Sequence, residues 1–211
     1  MGEQQILSES EKKKLANFVN VAIEMKNEGY SEKESTIAKV PANVLSIVLV
    51  LPLVAIIGVP YVMRNGLAPT SKAAGLLAVI LCLVVLIAEL MAREGIRTLT
   101  WGLIAPGGFS VPKIGFAELR MTPYCYCGKP IPRSIYIIGS FMPTIILGIV
   151  QGIVAIMTGS LFIFFLAIIM IFAGGRDNMI CFLMIRYRKS SSTLLVMDHP
   201  TKTGFEAFEK D

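Results

Sequence analysis

The sequence predicts an all-α integral membrane protein: four transmembrane helices, a cytoplasmic N-terminal helix, and a cytoplasmic loop with room for a short β-hairpin. Three observations carry this expectation. The apolar residues come in long blocks rather than in amphipathic periods. The Lys and Arg residues cluster in the segments that flank those blocks. The composition, 54% hydrophobic and 17% charged with a mean hydropathy of +0.66, lies outside the usual range of a soluble domain.

The chain divides on this reading into an N-terminal amphipathic region, residues 1–40, a four-span membrane domain, residues 41–187, and a cytoplasmic tail, residues 188–211. Residues 8–38 are polar and read as a helix, with Leu15, Phe18, Val19, Ala22, Ile23 and Met25 forming an apolar stripe and Ser8 or Ser10 available as N-cap. Contact with lipid and docking on the protein's own loops both remain open for that stripe. The first span is expected over about 42–63, kinked near Pro52 and ended by Pro60. The second runs over about 73–101, apolar to Ile87 and then charged at Glu89, Arg93, Glu94 and Arg97. The third covers about 134–157 with Pro143 inside it, and the fourth about 160–185 with Gly174, Gly175, Arg176 and Asp177 towards its end. Met157 to Ser160 forms the tight turn between them.

Orientation follows from the 20 basic residues. Six precede the first span, two (Arg64 and Lys72) lie in the first loop, six fall between Arg93 and Arg133, and six from Arg176 onward. Cytoplasmic loops carry the excess of Lys and Arg, so a multi-pass protein of the cell membrane with both ends inside is expected. The loop over 102–133 is then cytoplasmic, and the alternation around Phe109–Pro112 and Ile114–Met121 predicts its hairpin. The formal charge of +5 is accounted for by topology and headgroup contacts, which leaves no reason to invoke nucleic acid. The four cysteines make no disulfide framework, because Cys82 and Cys181 sit within apolar runs. No early apolar segment with a cleavage site follows the start, so no removable signal peptide is expected.

Charge in a membrane helix costs about 2.5–3.5 kcal/mol at its centre unless it is paired or reaches water. Glu89, Arg93, Glu94, Arg97, Arg176 and Asp177 therefore need partners. Snorkelling to the interface would satisfy the arginines singly. Arg93 and Arg97 share one helical face with Glu89 one turn earlier, and Arg176 and Asp177 should reach a similar depth, so an interhelical ionic cluster follows.

From Ala73 to Phe205 the sequence resembles the bacterial putative zincin peptidases, small multi-span membrane proteins with H-E-x-x-H on a transmembrane helix. Four segments carry the resemblance: Arg93-Glu-Gly-Ile-Arg97 with Thr98-Leu-Thr-Trp101, Thr122-Pro-Tyr-Cys-Tyr-Cys127, Ala173-Gly-Gly-Arg-Asp177, and Asp198-His-Pro with Gly204-Phe205. The departure lies where the chemistry should be. H-E-x-x-H works because two imidazoles one turn apart hold Zn²⁺ while the Glu takes a proton from the metal-bound water. Both imidazole positions here are arginine, which cannot deprotonate to become a ligand. Glu94 matches the general base and Asp177 a third ligand. His199, the sole histidine, lies in the tail, so one chain cannot assemble a two-histidine site.

The resemblance thus implies a non-catalytic relative of a metallopeptidase, without metal or other cofactor, in which Arg93, Glu94, Arg97 and Asp177 form a salt-bridge core supported by Glu89, Arg176 and Trp101. Its expected partners are the lipid bilayer and a membrane protein or peptide that it binds or regulates. Two alternatives stand beside it. One is an active membrane metallopeptidase with a non-standard metal site drawn from Glu89, Glu94, Asp177, Cys125 or His199; the other is a small transporter or immunity-type protein. Cys125 and Cys127 could bind a soft metal or be structural loop cysteines, and one C-x-C pair falls short of the four ligands of a closed zinc site. Gly148 and Gly152 form a G-x-x-x-G, expected to serve packing within the chain.

Overall fold

A computed structural model describes residues 9–67, 76–117, 122–188 and 193–211. Ser8, Lys72, the expected start of the second span at Ala73 and the 118–121 stretch of the hairpin lie outside the described residues, as do the side chains of Thr122 and Pro123. The chain forms two compact units, one from Met1–Lys39, Thr98–Ile138 and Phe182–Asp211, the other from Val40–Arg97 and Gly139–Cys181.

The second of these, the helical unit, is built on α2 (Lys39–Asn65), most of α3 (Leu76–Ile104), the later part of a helical run over residues 133–158, α6 (Leu161–Ala173) and the start of α7 (Gly175–Arg186). Among the described residues two helices are long and apolar enough to cross a membrane, Val40–Asn65 and Arg133–Thr158, and α6 with α7 makes a third span if that pair, bent by 44°, is counted as one. Pro60 does not end the first of them: α2 runs through Pro52 and Pro60 to Asn65, as apolar helices can when neighbouring groups satisfy the carbonyls that proline leaves unbonded. The 133–158 run changes geometry along its length. Pro143 ends α4 (Arg133–Pro143), the chain passes through a π-helix over Thr144–Val150, and α5 (Gln151–Thr158) completes it. Proline has no N–H for the carbonyl four residues back, and a wider turn beside it is a common adjustment.

A turn at Gly159, left-handed at φ 68°, joins α5 to α6, and the Ser160 hydroxyl caps α6 by accepting from the Ile163 N–H. A core of Val50, Ile57, Tyr61, Ala155, Phe164 and Ile171 ties α2, α5 and α6 together. Tyr61 stacks on Phe164 at 4.1 Å and donates its hydroxyl to the Gly159 carbonyl at 3.1 Å. A Cβ on Gly148 would stand 2.6 Å from Ile171, and one on Gly152 2.6 Å from Ile57. The G-x-x-x-G therefore serves close packing within this chain.

The other unit corrects the all-α expectation. Its helix α1 covers only Glu9–Asn27; Gly29, left-handed at φ 85°, turns the chain, and Ser31–Ile37 is strand β1 rather than the continuation of a helix to residue 38. The tail is likewise not a loose polar segment. Thr193–Asp198 and Thr203–Lys210 form a hairpin, β5 and β6. With the short β4 (Ile131–Pro132) they build an antiparallel sheet of order β1-β6-β5-β4. A hairpin is present in the 102–133 loop, but it pairs β2 (Pro112–Ala117) with β3 (Thr122–Cys127) rather than the expected Phe109–Pro112 and Ile114–Met121 stretches, because the second strand is the segment expected to follow the hairpin. Val196, Met197, Phe205, Ala207 and Phe208 are buried in the larger sheet. Its pairing joins residues near 34 to residues near 206, a separation that no local periodicity can signal.

Candidate functional site: an ionic cluster in the helical unit

Small residues bring the acidic partner into position. The break between α6 and α7 falls at Gly174, where a side chain would collide with the Thr144 hydroxyl. A Cβ on Gly175 would meet Val50 at 3.1 Å and the Ser46 carbonyl at 3.4 Å. The absence of side chains at this break lets α2 and the π-helix approach it, and Asp177 follows in the first turn of α7.

On α3, Arg93 and Arg97 lie one turn apart and both give a terminal guanidinium nitrogen to the same Asp177 oxygen, Oδ2. Glu94 pairs with Arg93 at 3.0 Å and with Arg97 at 3.6 Å. All four side chains are at least four-fifths buried. Two guanidinium groups thus face two carboxylates within one hydrogen-bonded cluster. Charge-assisted bonds of this kind repay desolvation only when the partners are all present.

Three residues expected to support the cluster have other roles. Glu89 makes no ion pair among the described residues; it accepts from the Gln151 amide at 2.6 Å. Arg176 is exposed. Trp101 belongs to the other unit, 1% exposed, donating its indole N–H to the Tyr136 carbonyl at 3.4 Å and packing on the Tyr136 ring at 5.2 Å. Gln151 was missed by the sequence reading. A lone amide in an otherwise apolar span, placed to answer Glu89, was the available signal.

Zinc does not fit this donor set. Guanidinium nitrogens donate and offer no lone pair to a metal, and here they are engaged by Asp177 and Glu94, the carboxylates a metal would need. Among the described residues, the one group of three or more ligand-type side chains close enough for a cation is Glu34, His199 and Glu206, in the sheet unit.

Cys125 and Cys127 are both buried on β3. The Cys127 thiol donates to the Lys129 carbonyl at 3.1 Å, and burial, with the nearby Asp198 charge second, pushes its pKa well up. A protonated, buried thiol is the opposite of a metal-ready thiolate. Asp198 accepts the Cys127 backbone N–H at 2.7 Å and the Tyr136 hydroxyl, tying β5 to β3 and α4.

Residues 94–192 match the model of a family described as putative zincin peptidase. Over that stretch the chain is zincin-like. The match takes in Glu94, Arg97, the Thr122–Cys127 segment and Asp177, whereas Arg93 and the Asp198-His-Pro segment fall outside it. No curated protein and no solved structure matches the chain.

Proposed function

We propose that this zincin-like chain is a non-catalytic membrane protein that binds or regulates a membrane partner, a protein or peptide, with its former metal site converted to a salt-bridge core. One observation carries the reading: the two guanidinium groups at the imidazole positions of the zincin motif both rest on Asp177. Two fixed positive charges replace one divalent cation, and the acidic partners stay compensated without a metal. Glu94, at the position the resemblance gives to the general base, has its oxygens engaged by Arg93 and Arg97. The binding role rests on fold-level analogy with peptidases that grip peptides in the membrane.

The reading includes four spans, α2, α3, the 133–158 run and the bent α6–α7 pair, with both ends in the cytoplasm. The 29 residues of α3 exceed the roughly 20 that a bilayer core requires, and the basic residues set the orientation.

Elemental analysis of the purified full-length protein tests the converted site. Zinc well below one equivalent is the expected result. Stoichiometric zinc lost on Glu94→Gln or Asp177→Asn would overturn the reading, and zinc lost only on Cys125→Ser would place a metal in β3 instead. For the topology, a cysteine at Leu67 should react with an impermeant reagent from outside the cell, and one at Lys210 should not. The reverse pattern would refute the orientation.

A further inference from the structure

Strand β6 carries two buried carboxylates with unequal company. Glu209, 1% exposed, accepts from Lys33 Nζ at 2.6 Å and from the Tyr187 hydroxyl at 3.1 Å. Glu206, 3% exposed, stands directly opposite Glu34 in the β1–β6 ladder. Its Oε1 lies 3.3 Å from His199 Nε2, and its Oε2 is buried with no hydrogen-bond partner among the described residues. Like charges facing each other across a ladder oppose pairing, and a buried anionic oxygen without a donor adds a desolvation cost.

Spacing alone would make this a cation site, since Glu34, His199 and Glu206 offer ligand atoms within 4.8 Å of one another. The hydrogen bonds of the imidazole decide otherwise. Nδ1 of His199 accepts two backbone N–H groups, from Thr201 at 3.1 Å and from Lys202 at 2.8 Å. With its lone pair so used, the proton of the neutral ring sits on Nε2 and points at the carboxylates. A ligating histidine has the reverse arrangement, the far nitrogen donating and the near one carrying the lone pair. Lys202 Nζ also lies on Glu34 Oε1 at 2.5 Å, where a cation would have to bind.

We propose that Glu206 is a proton-binding site, set against an ionised Glu34 and capped by the His199 Nε2–H, and that proton release loosens the β1–β6 seam. Burial and the acidic neighbours on β1 favour this assignment. Burial, then Glu32 and Glu34 on β1, push Glu206 up to about 7, with Lys202 pulling the other way. Hydrogen bonds from Lys202 and Thr36 hold Glu34 below its ordinary value. Burial lowers His199, aided by Lys202 and by Lys14 of α1 and opposed by Glu34, while the Phe18 ring stacks beside it at 6.4 Å. From β5 the residue opposite Glu206 is Met197, which carries no charge.

The proton therefore goes to the Glu206 carboxyl. Because the folded value is raised above the unfolded one, this contribution to stability is complete below the ordinary glutamate range and is lost as pH rises through about 7. Among the described residues strand β1 lies at the edge of the sheet with β6 as its only ladder partner, so its amides should report the change first.

Hydrogen exchange of the β1 amides in the full-length protein in lipid nanodiscs tests this, read from about pH 5.5 to about 8.5 and corrected for intrinsic exchange. Protection should fall at least about tenfold across neutrality, the equivalent of one pKa unit, and Glu206→Gln should abolish the fall. A Glu206 carbon resonance that titrates in the ordinary glutamate range would overturn the proposal. So would an undiminished fall in Glu206→Gln, or one equivalent of Mn²⁺ or Zn²⁺ bound by the parent and lost in that variant. Should Glu206→Gln not fold, Glu34→Gln removes the opposing charge and should move the midpoint to lower pH; an unmoved midpoint would count against the site.

Discussion

The two units are built inside out with respect to each other. In the helical unit Val44, Ile47, Val48 and Leu51 of α2 and Leu81 and Val84 of α3 are exposed, while Arg93, Arg97 and Asp177 are buried. In the sheet unit Val196, Phe205, Ala207 and Phe208 are buried, and most charges of α1 are exposed. The first arrangement suits a solvent of hydrocarbon, where polar groups must find each other; the second suits water, where apolar groups must. Each unit nevertheless buries a carboxylate. Asp177 meets two guanidinium groups, whereas Glu206 meets one neutral imidazole N–H. A buried acid can be kept ionised by fixed cations or neutralised by a proton, and this chain uses the first solution in one unit and, on our reading, the second in the other.

The sharpest way to break this comparison is to remove the acid from the cation-compensated cluster. Asp177→Ala strands two buried guanidinium groups and should destabilise the protein by about 3–5 kcal/mol in a detergent unfolding titration. A variant that unfolds with the parent would show the cluster to be hydrated and energetically slack. Replacing both arginines, Arg93→His with Arg97→His, should cost stability as well. Added zinc should restore part of it if the two imidazoles and Asp177 can serve as ligands; recovery in zinc, measured as a thermal shift, would tie the ionic core to the zincin geometry.

Gly152→Leu tests the packing that surrounds the cluster. The added side chain must displace Ile57 and should cost about 1–3 kcal/mol; no loss would mean that α2 and α5 separate readily. In the sheet unit, Tyr136→Phe removes the hydroxyl donor to Asp198 and should cost about 1.5–3 kcal/mol, the usual worth of a bond to a charged group, in the same titration. The smallest expected effect is chemical. Cys127, buried and with its pKa pushed up, should resist alkylation at about pH 8 until the protein unfolds, and labelling of the native state at the rate of a free thiol would contradict its placement.

The apolar blocks, the basic segments that separate them and the REGIR segment on α3 could all be read from residues 42–185, because a bilayer demands continuous hydrophobicity and a membrane charge stands out against it. That the 102–133 loop holds a hairpin was legible for a similar reason, since alternation is local, but its register was not: the second strand is Thr122–Cys127, which the local alternation puts after it. The need of Arg93 and Arg97 for an acidic partner was stated by their position. That both meet the one Asp177 oxygen, and that Glu89 turns to Gln151 instead, depended on how the glycines at 174 and 175 let neighbouring segments close in.

The sequence by itself determined that the chain has membrane-length apolar helices and that two arginines, Arg93 and Arg97, stand one helical turn apart beside Glu94, since both are properties of short contiguous stretches. Only the tertiary structure decided that residues 31–37 are a strand and that the tail is half of a sheet. The hydrogen bonds of residues 31–37 are supplied by partners more than 160 residues away, and a polar segment that looks helical on its own adopts the conformation that its ladder partner can complete. The same long-range register placed Glu34 opposite Glu206 and brought both to His199. No spacing along the chain encodes that meeting, because the sheet creates it.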